Sequence, residues 1–176
     1  MMNHPLFRPP AEAESLILQV DRGCPYNRCS FCGMYKDIRF RRLSLKEIQP
    51  LLDEEIPHFP EARRVFLADG DVMQRPFDEL AEILRMLGER LPALARVNVY
   101  AAGTGILDKS QEQLRALRAL KLQTLYLGLE SGSDEVLKQM RKAESAEQMV
   151  EAGCRAQAAG LRMSVMVLLG LGGQER

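Results

Sequence analysis

An α/β fold built on a parallel sheet is what this 176-residue sequence predicts. Three observations predict it. Five short apolar runs are each closed by glycine, serine or carboxylate residues. Helical patterns lie between successive runs, in the order βαβαβαβαβ. The composition, 46% hydrophobic and 27% charged, is that of a globular chain with a core.

The elements follow in order. Residues 16–20 form the first run, ended by Asp21-Arg22-Gly23. Ser44 with Glu47 is a capping box that opens a helix, with Pro50 in its interior. The second run, 65–68, ends in Asp69-Gly70-Asp71, and Phe77, Leu80, Leu84 and Leu87 then share one helical face. The third run, 97–101, ends in Ala102-Gly103-Thr104-Gly105, followed by the face Leu114, Leu117, Leu120. The fourth, 124–129, ends in Glu130-Ser131-Gly132-Ser133. Ser133 can cap a helix carrying Val136, Leu137 and Met140, and Ser145 with Gln148 caps another that stops at Gly160. The fifth run, 163–169, ends in Gly170-Leu171-Gly172-Gly173. Parallel strands joined by right-handed crossovers bring all five loops to one edge. Residues 1–13 read as an irregular lead-in and 14–176 as one core.

Charge and hydropathy exclude some functions. With 24 Lys plus Arg against 24 Asp plus Glu, bulk charge does not hold a nucleic acid, although a local patch stays open. No apolar run spans a bilayer, and the opening MMNHPLFRPP lacks the apolar stretch of a secretory signal. A cytoplasmic location without membrane contact is expected.

Three of the four cysteines, Cys24, Cys29 and Cys32, lie within nine residues; Cys154 is far away. Thiols stay reduced in the cytoplasm, so the cluster reads as a metal site in a Pro- and Gly-rich loop, spaced C-x4-C-x2-C. Structural zinc wants four ligands, usually as two pairs, and neither a second CxxC nor a suitably placed His4 or His58 supplies them. A four-iron cluster held by three thiolates leaves one iron open to a small molecule. Iron–sulfur is the leading reading and zinc the rival. Cys154 shares i, i+4 spacing with Val150 and Ala158 and reads as a core cysteine. A fourth ligand there would make a non-catalytic redox or sensor protein.

The loop GCPYNRCSFCGMYK, the turn ADGDVM and the stretch GLESGSDEVLKQMRK resemble the radical S-adenosylmethionine (SAM) superfamily. The branch resembled holds the Elongator catalytic subunit, the tRNA methylthiotransferases and the oxygen-independent coproporphyrinogen oxidases. The resemblance implies a partial TIM-like (β/α)6 barrel, which the chain leaves after its fifth strand. It implies a [4Fe-4S] cluster on Cys24, Cys29 and Cys32, with SAM chelating the open iron. Reductive cleavage then gives methionine and a 5′-deoxyadenosyl radical that abstracts hydrogen from a substrate. The electron donor is of flavodoxin or ferredoxin type; the substrate is unknown, RNA included, and no catalytic side chain is assigned. Two departures stand out: the first spacing is one residue longer than the usual C-x3-C, and Asp69-Gly70-Asp71 replaces a Gly-Gly-Glu turn.

The resemblance also proposes SAM contacts. Phe31 lies where an aromatic meets the adenine, or is ordinary core. Asp69, Gly70 and Asp71 hold the amino group, or form a plain turn. Glu130 takes ribose or amine, or backbone donors of the next helix. Ser131 is a cap or a weaker contact. Gly170, Gly172 and Gly173, with Glu175, offer an adenine-side loop. Tyr26 packs over the cluster or on the surface. Lys36, Arg39, Arg41 and Arg42 read as a solvated face, and His58 as a surface residue.

Overall fold

A computed structural model describes residues 6–173. The chain enters through β1 (Leu16–Gln19). A two-residue strand β2 (Asp21–Arg22) pairs antiparallel with β3 (Arg41–Arg42), and the cysteine loop hangs between them. Then follow α1 (Leu45–Glu55), β4 (Arg64–Ala68), α2 (Phe77–Arg90), β5 (Arg96–Ala101), α3 (Gly103–Leu107) and α4 (Gln111–Ala119). The last elements are β6 (Leu122–Glu130), α5 (Asp134–Gln139), α6 (Ala146–Ala158) and β7 (Arg162–Val167).

The main sheet runs β1-β4-β5-β6-β7, every pair parallel. Each strand joins beside its predecessor and the order never reverses, which is the winding of a β/α barrel rather than of a doubly wound sheet. The predicted five strands are all present, and the expected α/β class and partial TIM-like barrel hold.

Alternation along the strands makes two faces. Val65, Leu67, Val97, Val99 and Leu125 turn to the helices and form one core with Leu80, Leu84, Leu87, Leu114 and Leu117. Phe66 is buried on the other face, where its ring meets Tyr100 edge-on at 5.1 Å; Tyr126 lies 6.2 Å from Tyr100. Residues 6–13 belong to this inner face. Phe7 packs edge-on against Tyr35 at 5.9 Å. The buried Glu12 carboxylate accepts from Asn98 Nδ2 (2.8 Å), Tyr126 OH (2.6 Å) and Ser15 Oγ (2.5 Å). A buried carboxylate costs several kcal/mol unless its oxygens are bonded, and here both are.

The basic run is solvated as expected: Lys36, Arg39, Arg41 and Arg42 are exposed, and Arg41 and Arg42 pair with Arg22 and Asp21 across the ribbon. Two expectations need correction. Cys154 is exposed, as is Val150. The buried face of α6 is Met149, Ala152 and Ala156, and a Cβ added at Gly103 would stand 3.4–3.6 Å from Met149 and Ala152. Small residues on both sides of α6 leave its phase ambiguous in the sequence; the neighbour α3 decides it. The fifth run, read as a buried strand, is an edge: Val165, Val167 and Leu169 are exposed.

Candidate cluster and cofactor site

The cysteine loop is fixed from both ends by the turn after β4. At its base the Arg75 guanidinium, 3% exposed, donates to the carbonyls of Val20 (2.5 Å) and Leu43 (2.8 Å), the residues that flank the ribbon. Arg75 Nη1 reaches Glu79 at 3.1 Å. Its Nη2 stands 2.9 Å from Asp21 Oδ1 but off the line of a hydrogen bond, so both Asp21 oxygens lack a hydrogen-bond partner. Burial pushes the Asp21 carboxyl up to about 6, against the pull of Arg75. Nearer the sulfurs, Asp69 Oδ2 accepts from Gln19 Nε2 (3.0 Å) and from Gly23 N (3.2 Å), next to Cys24. Gly70 N donates to Gly23 O at 3.2 Å. A Cβ on Gly70 would stand 2.7 Å from Cys24 Cα, so only glycine lets the two loops meet.

The three thiols are half-buried on this loop. Burial raises the Cys24 and Cys29 thiols. Further contributions come from their neighbours: Cys32 and Asp71 act on Cys24, while Cys24, Cys32, Lys142 and Glu144 act on Cys29. The sulfurs therefore share one neighbourhood, and it is the mouth of the sheet. Cys154 lies apart, exposed on α6. Among the described residues no three His, Cys, Asp or Glu side chains are grouped as ligands of a single ion. An iron–sulfur cube takes each thiolate on a different iron and fits three sulfurs spread along a loop.

A polar chain runs along the strand ends. Asp71 Oδ1 accepts from Ala102 N at 3.1 Å. Gln74 Nε2 donates to Thr104 Oγ1 (2.7 Å), and Thr104 gives its N–H and hydroxyl to Glu144 Oε1, each at 3.2 Å. Lys142 Nζ lies 3.9 Å from both Glu144 Oε2 and Glu130 Oε1. The Glu130 carboxylate folds back over Gly128, where any side chain would collide with it. Burial raises the Glu130 carboxyl, while Lys142 lowers it. Asp71, 7% exposed, is pushed up to about 7 by burial. The loop closes the ring on the far side, where Tyr26 OH donates to Arg141 O (2.7 Å) and Ser30 N to Met140 O (3.0 Å).

Of the expected contacts, Asp71 lies in the neighbourhood of Cys24, and Glu130 faces Lys142. Asp69 is turned into the fold as a brace for the loop, and Gly70 serves close packing. Phe31 is half-buried within the loop. Ser131 Oγ accepts from Ser133 N at 3.2 Å, so it shapes the turn. Gly170 and Gly172 belong to an open turn closed by Gly173 N to Gly170 O at 3.0 Å. Glu175 lies outside the described residues. Lys142, Glu144, Thr104 and Arg75 were missed. Glu144 directly precedes a capping serine, but a lone carboxylate before a cap carries no site signal; the others carry none either.

The family model of the radical SAM superfamily matches residues 18–176. This chain belongs to the radical SAM superfamily. The superfamily is one of enzymes, and structural neighbours of this chain hold a [4Fe-4S] cluster or SAM. The radical SAM chain is 24% identical over 93% of its length to a protein of Methanocaldococcus jannaschii named as a methylthiotransferase, and covers 38% of that protein. It is 26% identical to a 4′-phospho-dehydrooxetanocin synthase of Priestia megaterium, over 86% of this chain and 23% of the synthase. Among solved structures it resembles the cobalamin-dependent SAM radical enzyme OxsB, with a TM-score of 0.71, 23% identity and coverage of 87% and 23% of the two chains. It also resembles methylornithine synthase PylB, with a TM-score of 0.64, 20% identity and coverage of 89% and 45%. The chain thus spans well under half the length of these relatives. No helix among the described residues is long and apolar enough to cross a membrane.

Proposed function

We propose that this chain binds a [4Fe-4S] cluster through Cys24, Cys29 and Cys32 and cleaves SAM reductively. The observation that carries the reading is a set of three thiols, and no fourth, beside buried carboxylates at one sheet edge. When bound, the cluster delivers one electron to the sulfonium of SAM, releasing methionine and a 5′-deoxyadenosyl radical that takes hydrogen from a substrate.

The chain's own residues shape the reaction. Cys24, Cys29 and Cys32 would hold the cluster as thiolates, with a position left open for SAM. Asp71 and Glu130 receive the polar ends of SAM, and Lys142, between two carboxylates, keeps the site from accumulating negative charge. Asp69, Gly70 and Arg75 hold the loop. The inner face of Phe66, Tyr100 and Tyr126 keeps water from the radical. The electron comes from a flavodoxin- or ferredoxin-type donor in the cytoplasm, where thiols stay reduced. The relatives differ in their named products, so resemblance fixes the radical chemistry rather than the substrate.

Anaerobic reconstitution with iron and sulfide, reduction by dithionite and addition of SAM tests this. About four irons per chain and 5′-deoxyadenosine in the supernatant are expected. Cys29→Ala abolishes both. A cluster that forms without yielding 5′-deoxyadenosine defeats the cleavage.

A further inference from the structure

Two of the four tyrosines have their hydroxyls bonded within the chain: Tyr126 donates to Glu12 (2.6 Å) and Tyr26 to Arg141 O (2.7 Å). Tyr35 differs. It is 3% exposed, and among the described residues its hydroxyl has no hydrogen-bond partner. A buried polar group left unbonded is destabilising, and in a native fold it calls for an explanation. The residue is firmly stationed. Its carbonyl accepts from Asn27 Nδ2 (2.6 Å) and from Ile38 N (3.0 Å), which ties it across the cysteine loop. Its ring lies edge-on to Phe7. The next residue, Lys36, reaches the carbonyls of Asn27 (3.1 Å) and Cys29 (2.9 Å) and holds the same stretch against the loop. The buried side chain thus turns under the sulfurs, where the ionisable groups that act on its hydroxyl are Asp69, Tyr100, Cys24 and Cys32. Burial first, and then these neighbours, raises the Tyr35 phenol above its ordinary ionisation. The hydroxyl keeps its proton and is a donor.

We infer that the Tyr35 hydroxyl donates a hydrogen bond to a sulfur of the cluster held by Cys24 and Cys32. The inference rests on the proposed cluster reading and deepens it, since it adds a contact outside the three ligands. The neighbours of the hydroxyl favour sulfur as the acceptor. Asp69 Oδ2 already accepts from Gln19 Nε2 and Gly23 N. Tyr100 is itself a phenol, pushed up to about 12 by burial, and carries no charge to attract a donor. Cys24 and Cys32 are left, and a cysteine that holds iron is a thiolate, a far better acceptor than a thiol. Hydrogen bonds to cluster sulfurs are among the contacts that set a cluster's potential. A donor stabilises the more negative, reduced form and so raises the potential. Tyr35 therefore eases electron entry, and no covalent bond at the phenol forms or breaks.

Tyr35→Phe removes the oxygen and keeps the ring. In the reconstituted chain without SAM, a reductive titration followed by electron paramagnetic resonance moves to more negative potential. The reduction equilibrium falls by about threefold to tenfold, tenfold being about 59 mV for one electron. In the cluster-free chain the same substitution leaves the urea midpoint unchanged or raises it, because no partner in the polypeptide is lost. A lowered midpoint there gives the hydroxyl a protein partner and overturns the inference. An unmoved potential overturns it too, as does a shift that arises only when SAM is added, which makes SAM the acceptor. Tyr26→Phe is the control for a loosened loop, since it removes the bond to Arg141 O. Its potential stays at the parent value, and an equal shift in it overturns the assignment to Tyr35. A parent chain that takes up no iron defeats the function proposed above and this contact with it. A parent that forms the cluster and titrates as Tyr35→Phe does defeats the contact alone.

Discussion

β4 and β7 are both parallel strands of the same sheet, both rich in apolar residues, and their surroundings are opposite. Val65, Phe66, Leu67 and Ala68 of β4 are wholly buried, and its exit turn braces the cysteine loop. β7 has one neighbour, β6, and exposes Val165, Val167 and Leu169, with an exit turn in which a side chain at Gly170 would meet nothing. The difference shows that an apolar run specifies a strand, while its place in the sheet specifies what the strand supports. Chemistry is concentrated where strand, turn and loop are over-determined.

The largest effect that separates the two strands is on stability. Phe66→Ala costs about 3–5 kcal/mol, because a buried aromatic leaves a cavity between Tyr100 and Tyr126. Val167→Ala stays within about 0.5 kcal/mol. Urea midpoints measure both, and equal losses would erase the contrast. A second comparison concerns the two exit turns. Gly70→Ala drives a methyl group into the Cys24 backbone, costs about 1–3 kcal/mol and lowers iron per chain. Gly170→Ala is strained by its φ of +78°, costs about 1 kcal/mol, and leaves iron content intact since its surroundings are empty. Iron analysis after reconstitution distinguishes them.

A third comparison is pH-dependent and belongs to the β4 side alone. The Asp71 carboxyl stands at about 7 in the fold, above its ordinary value of 3.8. The folded chain therefore holds this proton more tightly than the unfolded chain does. The associated stability is complete below about pH 4 and is lost as pH rises to about 7. Asp71→Asn abolishes that loss, so the thermal midpoint of the cluster-free variant falls less over this range than the parent's. Parallel curves would assign the slope elsewhere. Residues 162–173, which include β7, carry no Asp, Glu or His, and substitutions there leave the slope unchanged.

Much of this was legible in the chain itself. Short apolar runs ended by turn residues marked every main strand, and Ser44, Ser133 and Ser145 marked true helix starts. Ser110 with Gln113 caps α4 in the same way and carried a readable signal. The cysteine spacing marked the cluster loop because thiolate ligands need local clustering. Arg75 and Glu144 were invisible, since each acts on residues far along the chain: Arg75 bonds Val20, 55 residues away, and Glu144 accepts from Thr104, 40 residues away. The burial of β7 was misread because an edge strand and a central one share the same alphabet.

The clasp of Arg75 on Val20 and Leu43 also bears on how the socket is made. In small zinc domains the metal itself drives the ordering of its ligands. Here two backbone carbonyls are drawn together by a guanidinium belonging to another loop. Part of the entropy of closing the sulfur-bearing segment is thus charged to contacts that belong to the polypeptide alone.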